Sequence, residues 1–204
     1  MENKSKDLHG SVPDTSPVAL LIIDMINDLE FPGGDKLEEP ARVVAHAIAT
    51  LKQRVKASKI PVIYINDNFG RWRSDVNDVV EHVLNDGVRG QFLAEMLRPE
   101  PDDYFVLKPK HSAFYATTLD TLLTYLKAKH LILTGLSTDS CILFTANDAY
   151  MRDLKLTIPS DCVTAIQPAH STDALAYMQR VLDTDTTLSG QLDLVALCQE
   201  LFPV

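Results

Sequence analysis

No hydrophobic run in this chain is long enough to cross a bilayer: the longest, Val18 to Ile23, has six residues, whereas a membrane helix needs about 20. Positive charge is in deficit, with 19 Lys and Arg against 28 Asp and Glu and a net charge of −9. Nucleic acid and anionic membranes both reward clustered basic residues, so neither is expected as a partner. Cysteine is scarce and odd in number. Cys141, Cys162 and Cys198 have no CxxC or Cys/His ligand spacing, which excludes a disulfide framework and points to a reducing compartment. The opening MENKSKDLHGSVPDTS carries no apolar segment and does not read as a secretory signal, so the cytoplasm is the expected location. There is no internal repeat, low-complexity tract or dividing linker. Residues 1–16 read as a mobile arm and 17–204 as one domain.

What is present is an alternation of short buried runs and amphipathic ones. Val18–Ile23, Val62–Ile65, Tyr104–Leu107, Leu131–Thr134 and Lys155–Ile158 read as strands, with a short edge strand near Thr186. Helical spacing predicts helices over Pro40–Ala57, Val88–Leu97, Leu119–Lys127, Pro168–Leu182 and Gln191–Leu201. Such alternation implies an α/β fold with a mostly parallel, doubly wound sheet and helices on both faces. Ligands bind such sheets beyond the carboxyl ends of the strands.

That rim carries the chemistry. After the strand at Leu131–Thr134, Gly135 breaks the run, and Ser137, Thr138 and Asp139 offer helix caps, placing Cys141 in the first turn of a helix. Free backbone N–H groups and the helix dipole there favour a thiolate and an oxyanion. Taken alone a free cysteine is more often a small core residue, and Cys162 and Cys198 read as such. Asp24, Asp67 and Lys108 also follow strand ends. Asp24 closes a fully hydrophobic strand, where a raised pKa suits proton transfer, and the Lys108 stem leaves from a buried strand. Phe31, Trp72, Phe114 and Tyr115 are candidates for an apolar pocket, Arg71 and Arg73 for a substrate carboxylate, and His111 for a general base.

The runs Ile23-Asp24-Met25, Tyr64-Ile65-Asn66-Asp67, Lys108-Pro109-Lys110-His111-Ser112-Ala113-Phe114 and Gly135-Leu136-Ser137-Thr138-Asp139-Ser140-Cys141 together resemble the isochorismatase-like cysteine hydrolases, in order and spacing over nearly all of residues 17–200. The resemblance implies a three-layer α/β/α sandwich with a six-stranded, mostly parallel sheet, and homodimers or homotetramers. It implies a catalytic triad at Asp24, Lys108 and Cys141, a cis Leu136–Ser137 peptide, and an oxyanion hole from the backbone N–H groups of Ser137 and Cys141.

The implied chemistry is hydrolysis of a C–N bond in a small amide, carbamoyl or ureido compound through a thioester, with Asp24 serving first the thiol and then the water. Relatives that cleave the vinyl ether of isochorismate have no such cysteine. The alternatives within the family are a nicotinamidase-type amidase, the runner-up, and an isochorismatase-type hydrolase; nicotinamidases carry a metal site beginning Asp-x-His, whereas here the stretch is Asp67-Asn68-Phe69, so no metal and no cofactor is expected. Asn66 and Asp67 are then expected to orient the site or bind substrate. A thiol-redox protein and a catalytically silent binding module remain as readings from other classes.

Overall fold

All six residues of the first strand, β1 (Val18–Ile23), are buried, as continuous hydrophobicity demands of a strand covered on both faces. The computed structural model describes residues 15–68 and 75–199. The other strands are β2 (Val62–Asp67), β3 (Tyr104–Lys108), β4 (His130–Leu136), β5 (Lys155–Thr157) and β6 (Val163–Thr164). They form one six-stranded sheet in the order β3-β2-β1-β4-β5, with β6 pairing the end of β4, and every pairing between these strands is parallel.

Alternate residues of β1 feed opposite cores, as the period of two requires. Val18, Leu20 and Ile22 pack with α1 (Gly34–Ala57), α2 (Val76–Asn85) and α3 (Gln91–Met96). Ala19, Leu21 and Ile23 pack with α4 (Leu119–Leu126), α5 (Leu143–Tyr150) and α6 (Pro168–Leu182). The last helix, α7 (Leu194–Gln199), returns to the first face through Leu194. Helix, sheet and helix make three layers. The chain winds from β1 outward to β3, then crosses to β4, so the strand order reverses between β1 and β4. The crevice beyond that reversal is where a ligand is expected.

Several elements differ from the sequence-based expectation. α1 begins at Gly34, not Pro40, because Leu37 extends the buried stripe by a turn and an internal proline removes only one helix N–H. Gly33 enters it at φ 92°, and a Cβ on Gly34 would lie 2.0 Å from the Leu29 carbonyl oxygen. α2 was not expected; its capping box, with Asp75 and Asp78 each accepting from the other's backbone N–H, starts it. β2 and β4 each run two residues further than expected, to Asp67 and Leu136. The sixth strand is Val163–Thr164, whereas the segment before Thr186 makes a single bridge, Thr157 to Asp185.

Ser16, expected in the arm, is buried and donates its backbone N–H to the Leu126 carbonyl. The rest of the arm, residues 1–14, and the end of the final predicted helix lie outside the described residues. Among the described residues no helix is long and apolar enough to cross a membrane.

Candidate active site

β1 delivers Asp24 to the rim at a φ of 54°, with its backbone N–H bonded to the Ile65 carbonyl at 2.7 Å. Its Oδ1 accepts from the backbone N–H of Asp67 at 2.9 Å, and its Oδ2 lies 2.9 Å from Lys108 Nζ. Lys108 is the last residue of β3 and is 0% exposed, although β3 lies two strands away from β1. Its long stem reaches along the ends of the strands, and Nζ also stands 3.4 Å from Cys141 Sγ and 3.8 Å from Asp67 Oδ2. One ammonium thus touches the carboxylate and the thiol together.

Cys141 is brought there by the end of β4. Gly135 packs so closely on β1 that a Cβ would lie 2.0 Å from the Ile23 carbonyl oxygen, and at φ 113° it suits glycine. The Leu136–Ser137 peptide is cis. Residues Thr138–Ile142 then form a wide π-type turn, with the Ile142 N–H donating to the Ser137 carbonyl, before α5 begins. The turn is tied down on both sides: Ser137 Oγ donates to Asp139 at 2.5 Å, Asp139 faces His170 Nδ1 at 3.3 Å, and Ser171 donates to Thr138 at 2.8 Å.

Burial, reinforced by the negative charge of Asp24, pushes the Cys141 thiol up to about 12 against the opposing pull of Lys108. Burial and Asp24 thus oppose the thiolate that the helix terminus and Lys108 favour. Burial likewise raises Asp24 above the ordinary carboxylate value, outweighing Lys108. Burial disfavours the Lys108 ammonium, yet Asp24 and Cys141 more than compensate and its pKa is raised. Cys141 Sγ hydrogen-bonds Asp24, and Lys108 Nζ contacts both groups.

A cavity of 380 Å³ opens on Asp24 and Cys141. Its walls are apolar at Phe31, Leu37, Leu136 and Ile166, and polar at Asn27, Asp67, His111 and Ser140. Phe31 and Asp67 thus lie where the sequence placed them. Asn66 does not reach the cavity: it is 0% exposed, and its amide donates to the Ile26 carbonyl at 2.7 Å, holding the chain after β1. Phe114 also lies elsewhere, buried beneath the Arg152 guanidinium at 4.5 Å, because its segment folds down against α5. Tyr115 is exposed and does not line the cavity. Trp72, Arg71 and Arg73 lie outside the described residues.

Cys162 is fully buried, its carbonyl accepting from Gly135, and Cys198 packs partly buried against the first core. Asn27, Leu37 and Ile166 were missed. Asn27 is three residues from Asp24 and was within reach of a sequence argument, whereas Leu37 and Ile166 arrive from separate segments and carry no local signal. Among the described residues no three His, Cys, Asp or Glu side chains are grouped so as to hold a metal ion.

The isochorismatase domain matches residues 18–187. The chain is 41% identical over 174 residues to the uncharacterized isochorismatase family protein YaaI of Bacillus subtilis, covering 85% of this chain and 95% of that protein. Among solved structures, an isochorismatase family protein from Desulfovibrio vulgaris superposes with a TM-score of 0.72 at 26% identity, over 89% of this chain and 99% of that one. The N-carbamoylsarcosine amidase of Thermoplasma acidophilum superposes with a TM-score of 0.66 at 25% identity, over 86% and 98%. The order of the strands, the doubly wound sheet and these likenesses agree: the chain belongs to the isochorismatase family of hydrolases.

Proposed function

We propose that this protein is a cysteine-dependent hydrolase of a small amide, carbamoyl or ureido compound, acting through a thioester on Cys141. The observation that carries the reading is the meeting of Asp24, Lys108 and Cys141 within 3.4 Å contacts, with Asp24 and Cys141 lining a 380 Å³ cavity. A redox thiol has no use for the buried carboxylate and ammonium, and an inert pocket has no use for any of the three. The likeness to an N-carbamoylsarcosine amidase supports a carbamoyl or related C–N bond as the target.

Because burial and the Asp24 charge favour the thiol over the thiolate, proton transfer from Sγ to Asp24 and attack of Sγ on the carbonyl carbon belong to one step. Lys108 balances the charge as the proton moves, and the Asp24 pKa, raised by burial, makes it a competent acceptor. The N–H groups of Ser137 and Cys141 hold the tetrahedral oxygen, a contribution of ~3 kcal/mol per donor in comparable sites. Asp24 then gives its proton to the leaving nitrogen as the C–N bond breaks, leaving the acyl group on sulfur. Water cleaves the thioester, releasing an acid and restoring the thiol.

Release of ammonia from a panel of primary amides, carbamoyl and ureido compounds, nicotinamide included, tests the reading. Release by the wild type that disappears in Cys141→Ala is the expected result, and equal release by both would remove Cys141 as nucleophile.

A further inference from the structure

The apolar part of the cavity wall is continuous with the protein's core. Leu37 and Leu136, 2% and 3% exposed, belong to the core on the α1 face of the sheet, and Ile166 packs against that same core. Phe31 joins them from the turn that starts α1, where its carbonyl accepts the Gly34 N–H at 2.9 Å. A wall that is one side of a close-packed core does not yield to fit a ligand, so its outline limits what the cavity admits.

Ile166 is brought there by β6. Gly135 and Leu136 of β4 pair with Val163 and Thr164, and the Gly135 N–H donates to the Cys162 carbonyl at 2.8 Å. The chain therefore leaves β6 beside the cis Leu136–Ser137 turn, and Ile166 follows two residues later. Its side chain sits against Gly33, where a Cβ would lie 3.1 Å from Ile166 Cδ1. A two-residue strand and a glycine thus fix the isoleucine at the cavity.

We infer that Ile166, with Phe31 and Leu37, forms an acyl subsite, and that the substrate is the amide of a small apolar carboxylic acid, a reading that rests on the Cys141-dependent hydrolysis proposed above. With the carbonyl oxygen held by the Ser137 and Cys141 N–H groups and the leaving nitrogen turned to Asp24, which protonates it, the remaining substituent of the carbonyl carbon falls to the apolar wall. A carbon chain loses nothing there. The second nitrogen of a carbamoyl or ureido compound brings an N–H against side chains that offer no acceptor, which costs free energy. The cavity volume of 380 Å³ lies near the lower end of the range of small-molecule sites, about 300–1,000 Å³, so the acyl group is short. Ile166 sets its length.

Ammonia release from the straight-chain primary amides, acetamide to hexanamide, with ethylurea as the isostere of butanamide, tests the inference. In the wild type kcat/KM should rise roughly fourfold with each methylene, the worth of burying one, until the chain outgrows the cavity. Butanamide should exceed ethylurea by at least about tenfold. Ile166→Ala should move the best chain length upwards and Ile166→Phe downwards. Each profile is a ratio within one variant, so neither shift depends on how much of that variant is folded. A profile flat with chain length, an optimum unmoved in both Ile166 variants, or ethylurea cleaved as fast as butanamide would overturn the inference alone when release disappears in Cys141→Ala. So would failure of every aliphatic amide while another compound of the wider panel is hydrolysed through Cys141. No release from any compound of either panel, or release that survives in Cys141→Ala, would overturn the hydrolase reading and this inference with it.

Discussion

Among the described residues two lysines are buried among carboxylates, and only one of them faces a thiol. Lys52 of α1 has a side chain 8% exposed, with Asp103 at 2.7 Å, Glu100 at 3.0 Å and the Tyr64 hydroxyl at 3.1 Å. Lys108 has Asp24 at 2.9 Å and Asp67 at 3.8 Å. Burial lowers both lysine pKa values and their anionic neighbours more than restore them. The difference is in what remains to be done. The Lys52 cluster is closed: Asp103 is shared with Lys56 at 3.1 Å, and Lys56 holds Glu100 and Asp102 as well. The Lys108 cluster includes a thiol and opens on a cavity. A buried lysine alone is therefore no mark of a functional site; what sets Lys108 apart is that it shares its carboxylate with a thiol at a cavity.

The comparison breaks most visibly at the nucleophile. Cys141→Ala should lower ammonia release by at least about 10⁴, as loss of a covalent nucleophile does, with the urea midpoint close to wild type. Lys52→Met should do the reverse. It strips Asp103, 1% exposed, of its nearer cation, and a broken buried pair costs about 3 kcal/mol. The urea midpoint should fall accordingly at unchanged slope, while turnover per folded molecule stays at the wild-type value. A loss of turnover there would show that the two clusters are not separable.

The electrostatic coupling gives a finer test. Asp24→Asn removes the charge that helps hold the Cys141 thiol near 12, so alkylation by iodoacetamide at neutral pH should accelerate by about tenfold for each unit the pKa falls, even though hydrolysis is lost. Lys108→Met removes the group that lowers the thiol pKa, and alkylation should slow. In the wild type, protonation of Asp24 removes the proton acceptor. The acid limb of kcat/KM should therefore lie above the ordinary carboxylate value of 3.8, because the Asp24 pKa is raised.

The smallest effect belongs to the rim of the closed cluster. The Asp102 side chain is 72% exposed, and Asp102→Asn should shift stability by less than about 1 kcal/mol, the range of exposed pairs. Lys56 lowers the Asp102 pKa, so that small contribution is present above the ordinary value of 3.8 and is lost as the pH falls through the lowered one.

Much of this was legible in the chain. β1 declared itself by its unbroken hydrophobicity and α6 by Pro168 in its first turn followed by an apolar stripe, and both matched residue for residue. The placement of Asp24, Asp67, Lys108 and Cys141 beyond strand ends followed from the same local patterns. α2 was missed although its Asp75 and Asp78 capping box was there to be read, followed by Val79 and Val83 one turn apart. β6 was missed because two residues carry no period. Phe114 was misplaced because an aromatic side chain looks the same in a sequence whether it faces a cavity or a guanidinium.

What the sequence determined by itself was most of the elements, β1 and α6 above all, and the residue types at their ends, since burial on one or both faces of a strand or helix leaves a periodic trace within a few residues. Only the tertiary structure decided which of the two buried lysines meets a thiol, how Leu37 and Ile166 come to share a wall with Phe31, and that burial pushes the thiol pKa up. Those depend on strand order and on side chains reaching across neighbouring strands, and on the desolvation and field that result. Lys108 is 84 residues from Asp24 along the chain and 2.9 Å from it in space, and no local pattern encodes that contact.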